Sequence, residues 1–219
     1  MIKRLYVNNF RSLVGFEAHF DSFGVLCGPN GAGKSSVFDA LRLLRDFAAG
    51  DVALPGAGAS RLRAAGVGAR DLRELEFTKW VDSRTQEFEL TISAWENEYD
   101  YTVHLHQDLF DRPQVVHERA ACNGRELFIR DREGIRFVRP DGSPGEFPLD
   151  LRQSALGAFQ PGTSTGGFVD IIGLRWAIER ISILRPDPRV MEGVSDEEAR
   201  HPDLQLARLT SWYRTLVQD

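Results

Sequence analysis

Residues 28–35 read Gly-Pro-Asn-Gly-Ala-Gly-Lys-Ser, and this stretch limits the possible folds more than any other. It fits G-x-x-x-x-G-K-[ST], the phosphate-binding P-loop. The motif works where a strand leads in and a helix leads out. Phe23-Gly24-Val25-Leu26-Cys27 reads as the short buried strand. Residues 36–44 read as the helix, with Val37, Leu41 and Leu44 on one face. The glycines let backbone N–H groups close around a phosphate, and the helix N-terminus adds its positive dipole end. The candidate nucleotide-binding residues are therefore Gly28, Pro29, Asn30, Gly31, Ala32, Gly33, Lys34, Ser35 and the adjoining Ser36. Lys34, also the candidate catalytic residue, would reach the β- and γ-phosphates of ATP. The Ser35 hydroxyl would ligate Mg²⁺. The bland alternative is a glycine turn that caps a helix and binds nothing.

Composition narrows the class. At 219 residues, 42% hydrophobic and 27% charged, the chain suits one large globular domain or two small ones. A net charge of −5 gives no global nucleic-acid footprint, so any DNA contact would be a local patch. Cys27 and Cys122 have neither disulfide nor zinc spacing, which fits a reducing, cytoplasmic setting. Met1-Ile2-Lys3-Arg4-Leu5 is not followed by the apolar stretch of a signal peptide. No run nears the roughly 18 apolar residues of a membrane helix, so no membrane partner is expected.

Two strands precede the P-loop: Ile2 to Val7, then Phe16 to Phe20, joined by a turn through Asn8-Asn9-Phe10-Arg11-Ser12-Leu13. That order argues against nucleotide and shikimate kinases. The run of strand, Asn9-Phe10-Arg11-Ser12, strand and P-loop resembles the start of ABC-type ATPases of the SMC/RecF/OLD group. The segments Leu127–Arg130, Leu184–Pro188 and Ser211–Arg214 are similar to those of bacterial RecF/OLD-like ATPases. The resemblance implies a nucleotide role for Arg11; the alternative is that Arg11 only satisfies carbonyls of its own turn. It also implies ATP and Mg²⁺ as cofactors and a homodimer closed around ATP in the full-length protein. The implied fold is the α/β N-terminal lobe of a P-loop NTPase with an antiparallel β-meander subdomain.

Downstream, a glycine-rich stretch from Leu54 to Gly68 is followed by Arg70 and Arg73 and interleaved with Arg61 and Arg63. It reads as a solvated loop or as a phosphate or DNA contact. From Leu75 to Val138 the pattern has period two. Successive strands are marked by Phe77 and Trp80; Phe88, Leu90 and Ile92; Tyr99 to Leu105; Val115-Val116; Leu127 to Ile129; and Ile135 with Phe137. Asn97-Glu98, Asn123-Gly124 and Glu133-Gly134 read as turns. His104 and His106 share a strand face, so a metal pair is conceivable, and a solvated polar face is the alternative. Residues 140–145 read as a loop, 149–159 and 168–180 as helices, and Ile181–Leu184 as a strand that returns to or flanks a parallel sheet. Ser195 with Glu198 looks like a capping box, followed by apolar residues at helical spacing to the end. The expected division is residues 1–75 as the P-loop strand–helix core, 76–147 as the β-subdomain and 148–219 as a helical segment with a strand near 181–184.

In ABC-type ATPases a Q-loop glutamine senses Mg²⁺ and the attacking water, and Gln160 is the candidate here. The Walker B pattern, four apolar residues and then Asp-Glu, is missing. Phe168-Val169-Asp170 has too few apolar residues, Phe147-Pro148-Leu149-Asp150 carries a proline, and Ile181–Leu184 runs into Arg185. No Leu-Ser-Gly-Gly signature is present, and Ser164-Thr165-Gly166-Gly167 lacks the right context. The sequence therefore reads as the first half of a longer ATPase. Such an enzyme would hydrolyse ATP once completed, on DNA in repair or anti-phage defence. The other reading is a non-hydrolysing, nucleotide-sensing module whose meander binds a partner protein. A transporter ATPase is weaker, because Tyr6 is a poor adenine-stacking aromatic and Asn-Phe-Arg-Ser is foreign to transporters.

Overall fold

Alternating side chains along extended segments build most of the molecule. A computed structural model describes residues 1–50, 75–139, 141–159, 168–191, 193 and 205–218. Its strands are β1 (Ile2–Asn8), β2 (Phe16–His19), β3 (Thr85–Ala94), β4 (Asn97–Gln107), β5 (Pro113–Cys122), β6 (Arg125–Arg130), β7 (Ile135–Val138) and β8 (Pro144–Phe147). They form one antiparallel sheet in the order β2-β1-β3-β4-β5-β6-β7-β8. One face carries the core: Leu5 and Val7 of β1, Phe88, Leu90 and Ile92 of β3, and Tyr99, Tyr101, Val103 and Leu105 of β4 are buried. The opposite face carries Arg4, Glu87, Glu89, Thr91, His104 and their neighbours, only partly covered.

Helices cover the apolar face. The P-loop helix α1 (Lys34–Ala48) buries Val37, Ala40, Leu41, Leu44 and Phe47, the stripe expected from 3.6-residue spacing. Helices α2 (Ala155–Ala158) and α3 (Val169–Glu179) follow the sheet. Gly173 of α3 leaves room for the Tyr99 hydroxyl, which a Cβ there would meet at 2.7 Å. The C-terminal end of α1 is held from two sides. Arg175 donates to the Ala49 carbonyl at 2.9 Å, and Gly157 packs on Gly50. Under β6 to β8, the rings of Phe128, Phe137, Phe147, Phe159 and Phe168 form a cluster with centroids 5.2–5.9 Å apart.

A buried ionic network ties α2 to the sheet. Glu118 and Arg130, both fully buried, lie 3.5 Å apart. Glu118 accepts from Tyr101 Oη at 2.8 Å, Ser154 Oγ at 2.9 Å, Ala155 N at 2.7 Å and Leu156 N at 3.0 Å. The carboxylate thus satisfies N–H groups at the start of α2 that have no helical partner. Arg130 also donates to the carbonyls of Asp150 and Gln153.

The structure corrects several expectations. Phe23–Cys27 is not a strand, and its backbone pairs with nothing among the described residues. The apolar pattern signals an affinity for burial, but a strand also needs a neighbour for its backbone groups. The segment Ile181–Leu184 likewise forms no strand, so among the described residues there is no second, parallel sheet. Phe77 and Trp80 lie in an irregular stretch before β3. The β3–β4 hairpin turns at Trp95-Glu96, with φ of 49° and 69°, not at Asn97-Glu98. Moving the turn by two residues keeps the same faces aligned, so alternation cannot choose between the two. The observed register pairs Ile92 with Tyr99 and lets Asn97 accept from Asn123 at 2.8 Å. Strand β8 begins inside the expected loop, and the helix expected over 149–159 shrinks to α2.

Residues Met1–Arg180 form one compact unit and Ile181–Asp219 a second. In the second, residues 181–187 form no regular element, Asp187 N donates to the Gln205 carbonyl at 3.1 Å, and α4 spans Leu209–Gln218. The expected capping box at Ser195 lies outside the described residues.

Candidate nucleotide site

The loop from Gly28 to Ala32 is exposed and empties into the N-terminus of α1. Two glycines make its path possible. Gly31 has φ 84° and Gly33 has φ 90°, a region that side chains avoid. At Gly33 there is also no space: a Cβ would come within 2.9 Å of Ser12 Oγ and 3.2 Å of Leu13 Cδ2. The Lys34 ammonium folds back over the loop and donates to the carbonyls of Gly28 at 2.6 Å and Pro29 at 2.7 Å. Ala32 N donates to the Pro29 carbonyl at 3.2 Å, which closes the loop. Ser35 is exposed at the first turn of α1, while Ser36 is buried. Gly33 at the N-cap supplies no side-chain cap, and no acidic residue stands in the first turn. The N–H groups at this end are therefore free to meet an anion, and the dipole favours one.

The turn between β1 and β2 presses against this loop. Phe10 and Leu13 close it with hydrogen bonds of 3.1 and 2.8 Å. Asn9 and Arg11 take positive φ, 59° and 52°. Ser12 Oγ lies 3.1 Å from Ser36 Oγ, so the turn touches α1 directly. Asn9 is fully buried. It donates to the carbonyls of Ser83 at 2.8 Å and Thr85 at 3.0 Å and accepts from Thr78 N at 3.2 Å. The Asn-Phe-Arg-Ser run is thus a brace that joins the P-loop helix to the segment leading into β3.

Arg11 is ion-paired with Asp39 of α1 and with Glu76. Its second guanidinium contact to Glu76 is 3.1 Å, and its own N donates to the Glu76 carbonyl at 2.9 Å. The Glu76 hydrogen bond, with both nearby carboxylates, holds its pKa above the ordinary arginine value. The side chain therefore does more than satisfy carbonyls of its own turn, since two carboxylates hold it beside the second turn of α1. Sequence reasoning did not find Asp39 or Glu76. Glu76 stands 65 positions from Arg11, and nothing in its spacing announces the pair.

Gln160 and Arg61, Arg63, Arg70 and Arg73 lie outside the described residues. His104 and His106 share a face as expected, but His104 faces His117 across the sheet with ring centroids 5.0 Å apart. His106 pairs instead with Thr85 Oγ1 at 3.0 Å. Among the described residues no group of three His, Cys, Asp or Glu side chains could hold a metal. Burial, then His117, lowers the His104 pKa, against the opposing pull of Glu87 and Glu89.

The residues fit a bound nucleotide in their chemistry. An exposed hydroxyl opens the helix, an ammonium rests on loop carbonyls, and the helix's first turn carries no acidic residue. Among the described residues no helix is long and apolar enough to cross a membrane. No curated protein matches the chain. Residues 1–108, which run from β1 through the P-loop to the end of β4, match the family model of an AAA ATPase domain, and this supports an AAA-type ATPase family for the segment that carries the site.

Proposed function

We propose that the chain binds ATP with Mg²⁺ through Gly28 to Ser36, as the N-terminal part of an SMC/RecF/OLD-like ATPase in the P-loop NTPase class. The observation that carries this reading is the Lys34 ammonium turned onto the Gly28 and Pro29 carbonyls at the mouth of an uncapped helix. An incoming triphosphate would replace those carbonyls as the partner of Lys34. The Ser35 hydroxyl would hold Mg²⁺, which neutralises charge on the β- and γ-oxygens. Arg11, braced by Asp39 and Glu76 next to α1, would stand beside the nucleotide. Titration calorimetry of wild type and Lys34→Ala with ATP tests this: binding in the first and none in the second is expected. Equal affinity would refute the assignment.

The resemblance adds an ATP-bridged homodimer in the full-length protein and work on DNA in repair or anti-phage defence, and the cysteine usage adds a cytoplasmic setting. Hydrolysis would need a carboxylate to position water, and the two carboxylates described around this turn, Asp39 and Glu76, are both engaged by Arg11. That engagement favours a second reading, a module that senses nucleotide without hydrolysing it. The 219-residue chain alone should turn over no ATP above background. A turnover of about 1 s⁻¹ or more would exclude the sensor reading.

A further inference from the structure

Trp80 is 71% exposed, an unusual position for an indole on an ordered turn. The turn is closed by Val81 N donating to the Thr78 carbonyl at 3.2 Å, with Lys79 and Trp80 at its corners. It is fixed from both ends. Thr78 N donates to Asn9 Oδ1 at 3.2 Å, and Asn9 Nδ2 donates to the Ser83 carbonyl at 2.8 Å. Asn9 opens the turn whose Ser12 abuts Gly33 and Ser36. Three short links therefore join the indole's turn to the phosphate loop, at the end of the sheet where β1 leaves and β3 enters.

Two other exposed aromatics lie under a cation. Trp95 sits at the opposite end of β3, under the Arg180 guanidinium at 5.5 Å. Phe110 lies under Arg112 at 5.0 Å. Trp80 has no ring or guanidinium against it among the described residues. An uncovered indole on a turn linked to a phosphate site offers a surface on which a nucleobase can stack.

We propose that Trp80 is the platform for the base of a purine nucleotide whose phosphates occupy Gly28–Ser36. This rests on the nucleotide reading given above. Stacking reads the π-face of a base and not its hydrogen-bonding edges. Trp80 therefore favours the larger purines over pyrimidines and does not itself separate adenine from guanine.

The test compares ATP with inorganic tripolyphosphate, which has the phosphates but no base. Both are titrated into wild type, Trp80→Ala, Trp80→Phe and Trp95→Ala. Trp80→Ala is expected to weaken ATP by about tenfold or more while leaving tripolyphosphate unchanged. Trp80→Phe should restore most of the loss, and Trp95→Ala should behave as wild type. Unchanged ATP affinity in Trp80→Ala overturns the platform. An equal loss for tripolyphosphate also overturns it, because the effect would then be structural. If wild type binds tripolyphosphate through Lys34 but gains nothing from the base, the platform alone fails. If wild type binds neither, the phosphate site fails and the platform with it.

Discussion

From Thr85 to Phe147, strands β3 to β7 each pair on both sides, and their apolar faces are shut against helices and a phenylalanine cluster. From Asp21 to Cys27 the chain makes no hydrogen bond among the described residues, and Phe23 and Val25 are 81% and 68% exposed. The two regions stand a few residues from the same helix and turn, yet they divide the labour. The meander holds free energy of folding, and the loop holds chemistry. A phosphate loop has to keep its helix-end N–H groups open and its lysine on carbonyls that a ligand can replace, so it draws little stability from them. The brace of Asn9 and Ser12 lets the rigid region fix the position of the open one.

If this division is right, substitutions should separate cleanly into those that move stability and those that move binding. Glu118→Ala should have the largest effect. It leaves Arg130 charged and buried, so unfolding in urea should shift by about 3–5 kcal/mol. The folded fraction should still bind ATP with wild-type affinity; weakened binding would show that the meander tunes the loop. Next comes ligand stabilisation. ATP at 100 times its dissociation constant should raise wild-type stability by about 2.7 kcal/mol, and Lys34→Ala should lose that gain. Without ligand Lys34→Ala should lie within about 0.5 kcal/mol of wild type. A large loss in the unliganded protein would make the loop a structural element. Gly145→Ala places a Cβ against the Phe137 ring and should destabilise by about 1–3 kcal/mol, read from the denaturation midpoint, with no change in nucleotide affinity.

The smallest effect concerns pH. Burial and His117 lower the pKa of folded His104 below that of the unfolded chain. The unfolded state therefore binds the proton more readily, and stability present above the unfolded value of about 6.5 is lost as pH falls through it toward the folded value. His104→Thr should flatten this part of the stability–pH curve. A curve of the same slope in wild type and variant would remove His104 as the cause.

The meander was legible because period-two alternation and Asn123-Gly124 report local physics: which side faces the core, and which residues accept positive φ. The P-loop was legible because spacing alone carries its chemistry. What the sequence did not reveal depended on partners distant along the chain. The Glu118–Arg130 pair, the Arg11 pairs with Asp39 and Glu76, and the aromatic cluster join residues that no periodicity connects. The same limit explains Phe23–Cys27. Its residues have the composition of a strand, but a strand is a relation between two segments.

That segment also bears on how the chain behaves in bulk. An exposed, apolar run whose backbone is unpaired among the described residues is open to other peptides, and no proline or lysine stands between Phe23 and Cys27. Its consequence is colloidal. At high protein concentration, these five residues before the phosphate loop would lower solubility, while the net charge of −5 keeps molecules apart only weakly once salt screens it.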